Sequence, residues 1–267
     1  MALILLTPLD LFLAAVLVPA LALLSFRLSL GIERQLLIAA LRTVIQLSLL
    51  GLVLKFLFVQ SHPLLIASLA LFMLLVAGYE VMARQQRRFI GFWGMGIGTL
   101  SMFISSFTVT LLALTVIIRA EPWYSVQYLI PLLGMLLGNT MSGIAIALDN
   151  LTHNAWRQRH EIEARLLLGH PWDEAIREIR RTALRSGLIP IINAMAAAGV
   201  VSLPGMMTGQ ILAGAPPFEA GKYQILIMLL IAAGTGFGAM AAVWIGSKHL
   251  FDERERLRLD RLSPPKA

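Results

Sequence analysis

Residues able to do chemistry are scarce in this sequence, and their placing excludes more than it suggests. The five histidines, His62, His153, His160, His170 and His249, fall at loops or at the ends of apolar windows. None pairs with an intramembrane carboxylate at metal-ligand spacing, and no HExxH run occurs. There is no cysteine, which removes disulfides, thiolate metal sites and cysteine nucleophiles. A GxxxxGK[ST] loop is also missing, so the chain has no phosphate cradle with which to hydrolyse ATP by itself. No catalytic residue, resident metal or cofactor is expected.

What remains is polar residues inside apolar stretches. Arg42 is the one formal charge well inside such a stretch, with Gln46 one turn deeper on the same helical face. A charge at that depth either snorkels to the headgroups or lines a wet path. Asn139 lies near the middle of its window, where its amide serves as glue between helices or touches a solute. The run from Pro190 to Gly214 carries Asn193, Gln210, the thioethers Met206 and Met207, and a Pro204-Gly205 pair. Ser186 to Gly214 is too long for one straight span. It reads either as an interrupted element lining a pathway or as a helix end followed by an outer loop, because irregular backbone at membrane depth needs protein or water against it. Arg42, Gln46, Asn139, Asn193, Pro204, Gly205, Met206, Met207 and Gln210 are thus the candidate translocation path.

A second constellation is charged, His160 to Pro190. Gly169 and Pro171 divide it into helix, elbow and helix, by the preference for glycine past a helix end and proline at a helix start. Trp172, Ile176, Ile179 and Ala183 repeat at helical spacing and form one apolar face. Glu161–Arg165 and Asp173–Arg177 stand four apart with the acid first. Such a piece cannot cross a bilayer, and it suits either the headgroup surface or a groove on a soluble partner. Glu163-Ala164, Gly169 six residues on and Ile179 ten further resemble the cytoplasmic EAA signature of bacterial ABC-transporter permeases. The match is partial, since Arg165 replaces the second Ala and Arg181-Thr182 the usual Leu-Pro. That resemblance implies a coupling role for Glu161, Glu163, Arg165, Gly169, Trp172, Ile176 and Ile179.

The elements that position these residues are membrane helices. The 267 residues are 58% hydrophobic and 14% charged, against about a quarter charged in soluble domains. Seven windows can cross about 30 Å of hydrocarbon, near 6–26, 36–59, 63–83, 91–118, 126–148, 186–208 and 223–246. The expected fold is an all-α, polytopic helical bundle of one domain, with a coupling loop over 149–185 and a basic tail over 248–267. Of the 22 Lys and Arg, Lys55, Arg119 and Lys222 lie beside one set of loops, Arg42 lies within a window, and the other 18 lie beside the alternate set. The positive-inside rule makes the basic side cytoplasmic, with the amino terminus outside and the carboxyl terminus inside. The net charge of +7 is therefore a topology signal and not a nucleic-acid footprint.

With Gly138-Asn139-x-Met141, the glycine elbow, and VSLPGMMTGQILAG (201–214) followed by Lys222-Tyr223-Gln224-Ile225, the sequence is similar to the FetB-type permeases over nearly its whole length. These are membrane subunits of an iron-export ABC transporter, with plant relatives linked to aluminium tolerance and nucleotide-sugar transport. The resemblance implies a bacterial inner-membrane permease that exports iron or another metal. It implies two copies of the chain working with two copies of a FetA-like ATP-binding subunit, which would carry the ATP and Mg. The family pattern has Asp and Lys where this sequence has Asn193 and Ala197, so no charged ligand is inherited at that element. Two other classes are open to the same residues. A gradient-driven secondary transporter would want inverted repeats and midplane carboxylates, and a non-transporting scaffold would use the elbow only to recruit a cytoplasmic enzyme.

Overall fold

A computed structural model describes residues 7–60 and 62–265. Its helices, in order, are α1 (Pro8–Arg27), α2 (Glu33–Gln60), α3 (Pro63–Arg84), α4 (Phe92–Met102), α5 (Thr108–Leu112), α6 (Val126–Arg157), α7 (Arg159–Leu167), α8 (Trp172–Ala175), α9 (Arg177–Ala197), α10 (Gly205–Leu212) and α11 (Pro217–His249). The chain divides into two compact units, Met1–His62 with Leu212–Gly214, and Pro63–Ile211 with Ala215–Ala267.

The first unit holds α1 and α2. Thr7 and Asp10 form a reciprocal capping box, with Pro8 at the first turn, so α1 starts where its free N–H groups are satisfied. The turn between the helices is fastened by Ser25 Oγ donating to Glu33 Oε2 at 3.4 Å. Most other side chains of the pair are exposed and apolar, as suits hydrocarbon.

In the second unit α6 is central and packs against α3, α9 and α11. The helices approach closely where side chains are small. A Cβ on Gly187 of α9 would stand 2.6 Å from the Gly143 carbonyl and 2.8 Å from Ala147 Cβ, both on α6. A Cβ on Gly238 of α11 would meet Thr140 Cγ2 at 2.7 Å and Ser105 Oγ at 2.8 Å. This is backbone-on-backbone packing of the kind small residues allow in lipid. The fourth crossing, Phe92–Ile117, is one rod in which α4 and α5 alternate with π-helical turns at Phe103–Phe107 and Ala113–Ile117. Ser105, Thr110 and Thr115 each donate to the carbonyl four residues back, satisfying hydroxyls within the rod.

Among the described residues six helices are long and apolar enough to cross a membrane: Leu9–Arg27, Glu33–Phe58, Pro63–Arg84, Phe92–Ile117, Val126–Arg157 and Pro217–His249. The 186–208 window is divided instead. α9 ends at Ala197, and its first turns are charged, so no apolar stretch of spanning length forms there. The helix nonetheless runs antiparallel along α11, with Leu184 beside Met240 and Met195 beside Gln224 and Met228. Its 21 residues extend for about 30 Å. The region expected to be a 149–185 loop is helical almost throughout, because α6 continues to Arg157 before α7 and α8 begin.

Candidate functional site

The charged hairpin is an elbow built on the chain's own core. Gly169 has φ +87°, the left-handed conformation that glycine adopts without strain, and closes α7 as its position past the helix suggested. Pro171 sits at the N-cap of α8, one position earlier than the helix-start reading. Ile162, Ala175, Ile176, Ile179 and Ala183 are buried in one cluster with α6 residues such as Leu148 and Leu151, and Trp172 packs on its edge. The apolar face of Trp172, Ile176 and Ile179 therefore points inward and anchors the elbow. What points outward is its tip, where Leu167 and Leu168 are 88% and 79% exposed, with Glu163 and Gly169 beside them, both exposed.

Ion pairs hold the elbow's shape. Arg165 Nη2 donates to Glu161 Oε1 at 2.6 Å, the pairing its spacing suggested. Arg177 does not pair with Asp173 but with Glu174, at 3.1 Å. The physical reason is Ile176, whose φ −102°, ψ 3° separates α8 from α9 and breaks the four-residue register. His170 Nδ1 lies 3.1 Å from Glu174 Oε2, and this contact, then the Arg177 charge, holds the Glu174 carboxyl below the usual range.

The carboxyl-terminal tail completes the elbow, which the sequence reading did not anticipate. Glu255 Oε2 accepts from the Trp172 backbone N–H at 3.1 Å, and Phe251 lies against the Trp172 ring. Further on, Ser263 N–H donates to Arg88 O at 2.8 Å and Ile90 N–H to Arg261 O at 2.9 Å, with Phe89 and Leu262 buried between. The α3–α4 loop held this way is also fixed to α6. Gln86 N–H donates to Asp149 Oδ1 at 2.7 Å, and Thr152 Oγ1 donates to Arg87 O at 2.8 Å. Asp149 is thus a structural acceptor and not merely a group facing water. One signal for the tail was available in Leu257, Leu259 and Leu262, apolar residues set among arginines.

The candidate path residues lie in both units. Arg42 and Gln46 stand four apart and exposed on α2 in the first. The second holds Asn139, Asn193 and the α9–α10 break. Asn139 is exposed and its amide donates to Met135 O of its own helix at 2.8 Å, with no hydrogen bond to a second helix among the described residues. Asn193 is exposed on α9. The interruption opens at Ala198–Gly199 and not at Pro204-Gly205. Val201 and Ser202 both donate to Ala197 O, Gly199 has φ +80°, and Pro204-Gly205 starts α10. Pro204 and Met207 join Met195, Gln224 and Met228 around a cleft of about 410 Å³, and Met206 packs toward the core. Gln210 Oε1 and Gln224 Oε1 are buried without a hydrogen-bond partner in the described residues. Among the described residues no group of three or more His, Asp or Glu could hold a metal ion.

Residues 8–251 match the family described as Uncharacterised protein family (UPF0014). The chain is 38% identical over 241 residues to a UPF0014 membrane protein of Synechocystis sp., covering 89% of this chain and 91% of that one. It is 29% identical over 262 residues to the Escherichia coli protein named Probable iron export permease protein FetB, covering 95% of each. The Arabidopsis thaliana protein ALUMINUM SENSITIVE 3 is 31% identical over 247 residues, which is 92% of this chain and 88% of that protein. No solved structure matches. The chain belongs to the UPF0014 family of multi-pass membrane proteins, the group to which its FetB-type resemblance pointed.

Proposed function

We propose that this chain is the permease subunit of an ABC transporter in a bacterial inner membrane, exporting iron or another metal with ATP hydrolysed by a separate FetA-like subunit. The observation that carries this reading is the elbow tip. Leu167 and Leu168 are held out from a hairpin whose other apolar residues are buried in the core. On a surface outside the apolar spans, such a pair is costly unless a partner covers it. A push on the tip would pass through Ile176 and Ile179 into α6 and α9, which converge at Gly143 and Gly187. The named activity of the E. coli relative supports the same reading.

In this scheme two copies of the chain work with two ATP-binding subunits. Glu163, Gly169 and the exposed leucines meet the ATPase, while Arg42, Gln46, Asn139, Asn193 and the α9–α10 break with Gln210 line or gate the path. The basic side, with the elbow and tail, faces the cytoplasm. The test is reconstitution of the purified chain in vesicles with a separately produced ATP-binding subunit. Metal flux that needs both proteins and ATP is expected. Flux that follows an ion gradient without the second protein would overturn the reading in favour of a secondary transporter, and no flux with intact association would favour a scaffold.

A further inference from the structure

A separate cleft lies between α9 and α11. Arg177, Arg180 and Arg181 line its upper part, and Leu184, Met240 and Trp244 its lower part, around a volume of about 460 Å³. Both helices change character at this level. α9 is charged up to Arg185 and mostly apolar beyond it, whereas α11 carries no charge from Tyr223 to Ser247 and meets Lys248 one turn after Trp244. Because the helices run antiparallel, the two polarity changes coincide in height. Trp244 and Met240 are about half exposed, and Lys248 Nζ stands 5.6 Å from the Trp244 ring centroid. Cations above an outward-facing tryptophan and apolar wall are what a protein presents where headgroups meet hydrocarbon.

We infer that this cleft is a binding site for an anionic phospholipid, with the phosphodiester under the arginines and the acyl chains along Leu184, Met240 and Trp244. The guanidiniums retain the donors this requires. Arg181 uses Nη1 on Glu178 (2.8 Å), Arg177 uses Nη2 on Glu174 (3.1 Å), and Arg180 uses Nη2 on the Asp173 carbonyl (2.7 Å). Each guanidinium carries five N–H donors in a fork suited to phosphate. With Lys248, four cations stand against the two carboxylates of Glu174 and Glu178, so the cleft keeps an excess of positive charge. Its apolar lower half distinguishes a lipid from free phosphate, which would gain nothing there.

The test uses the full-length chain reconstituted in bilayers of equal phosphatidylglycerol and phosphatidylcholine, then released gently for native mass spectrometry. Phosphatidylglycerol should be retained preferentially, and inorganic phosphate in large excess should not displace it. An Arg177→Gln, Arg181→Gln double variant removes two exposed ion pairs, one of them at the elbow, worth little to overall stability, so it should still fold, as thermal melting will show. Retention of phosphatidylglycerol should fall about fivefold for each arginine removed, while an Arg27→Gln, Arg34→Gln control should behave as the parent. Equal retention of both lipids overturns the inference, and so does an unchanged double variant or displacement by phosphate alone. Loss of self-association or of ATPase binding in the double variant, with lipid retention intact, would assign the cleft to a protein partner and equally overturn it.

Discussion

The elbow and the α9–α10 break are both interruptions of helix within the second unit, yet they satisfy their polar groups in opposite ways. At the elbow Glu161 pairs with Arg165, Glu163 lies beside His160, Glu174 meets both His170 and Arg177, and Glu255 reaches in from the tail to take the Trp172 N–H. At the break the backbone closes on itself at Ala197, but the amide oxygens of Gln210 and Gln224 are buried with no donor among the described residues. A buried acceptor left unpaired costs about 1–3 kcal/mol. The elbow's described ion pairs are thus made within the chain, whereas the two amide oxygens beside the break are left without a partner among the described residues.

The largest expected effect lies on α9, which joins the two regions. Gly187→Leu drives a side chain into the Gly143 carbonyl and Ala147 and should cost about 3 kcal/mol or more, read as a fall in melting temperature in detergent. If α6 and α9 tolerate it, their close approach at Gly143 and Gly187 does not hold the fold. Next, Leu262→Ala removes a buried anchor of the tail, at about 2–3 kcal/mol. It should free the 252–265 segment for limited proteolysis while the membrane helices stay folded. Gly169→Val places a β-branched residue at φ +87° with open space around its Cβ, so the cost is backbone strain alone, about 1–2 kcal/mol. Insertion should survive, while ATP hydrolysis by the partner becomes uncoupled from transport. Normal transport by this variant would detach the elbow from coupling.

Gln224→Leu has the opposite sign. By deleting a buried amide whose oxygen has no partner among the described residues it should leave stability unchanged or raise it by about 1 kcal/mol, yet lower flux if the break faces the path. A variant that loses both stability and flux would make Gln224 an ordinary structural residue. The smallest effect is in acid. The Arg256 backbone N–H and then its side chain hold the Asp252 carboxyl at about 2. A folded value below the unfolded one stabilises the tail turn at pH above about 4, and that contribution is lost as pH falls through about 2. Tail proteolysis should rise across that window in the parent chain and be high at every pH in Asp252→Asn.

Much of this was legible in the residues because lipid imposes simple rules. Windows of apolar residues became helices, the Gly169 elbow formed, and the 186–214 run was interrupted. The errors came where local pattern met packing. The stripe of Trp172, Ile176 and Ile179 showed amphipathicity but not which side it faced, and it turned inward because α6 offered a matching apolar surface. The Asp173–Arg177 pair assumed continuous helix through Ile176. Pro204-Gly205 suggested the break, but a proline serves a helix start as well as a helix end, and the flexible Gly199 opened the turn first.

Composition by itself determined that this chain is a polytopic helical membrane protein, because hydrocarbon requires long apolar segments whose backbone groups are satisfied within them. Only the tertiary structure decided that the tail belongs to the elbow, that α9 lies along α11 despite its charged first half, and that three arginines meet an apolar wall there. Those outcomes depend on contacts between residues far apart in the chain, such as Glu255 with Trp172 and Ser263 with Arg88, and no local spacing encodes them.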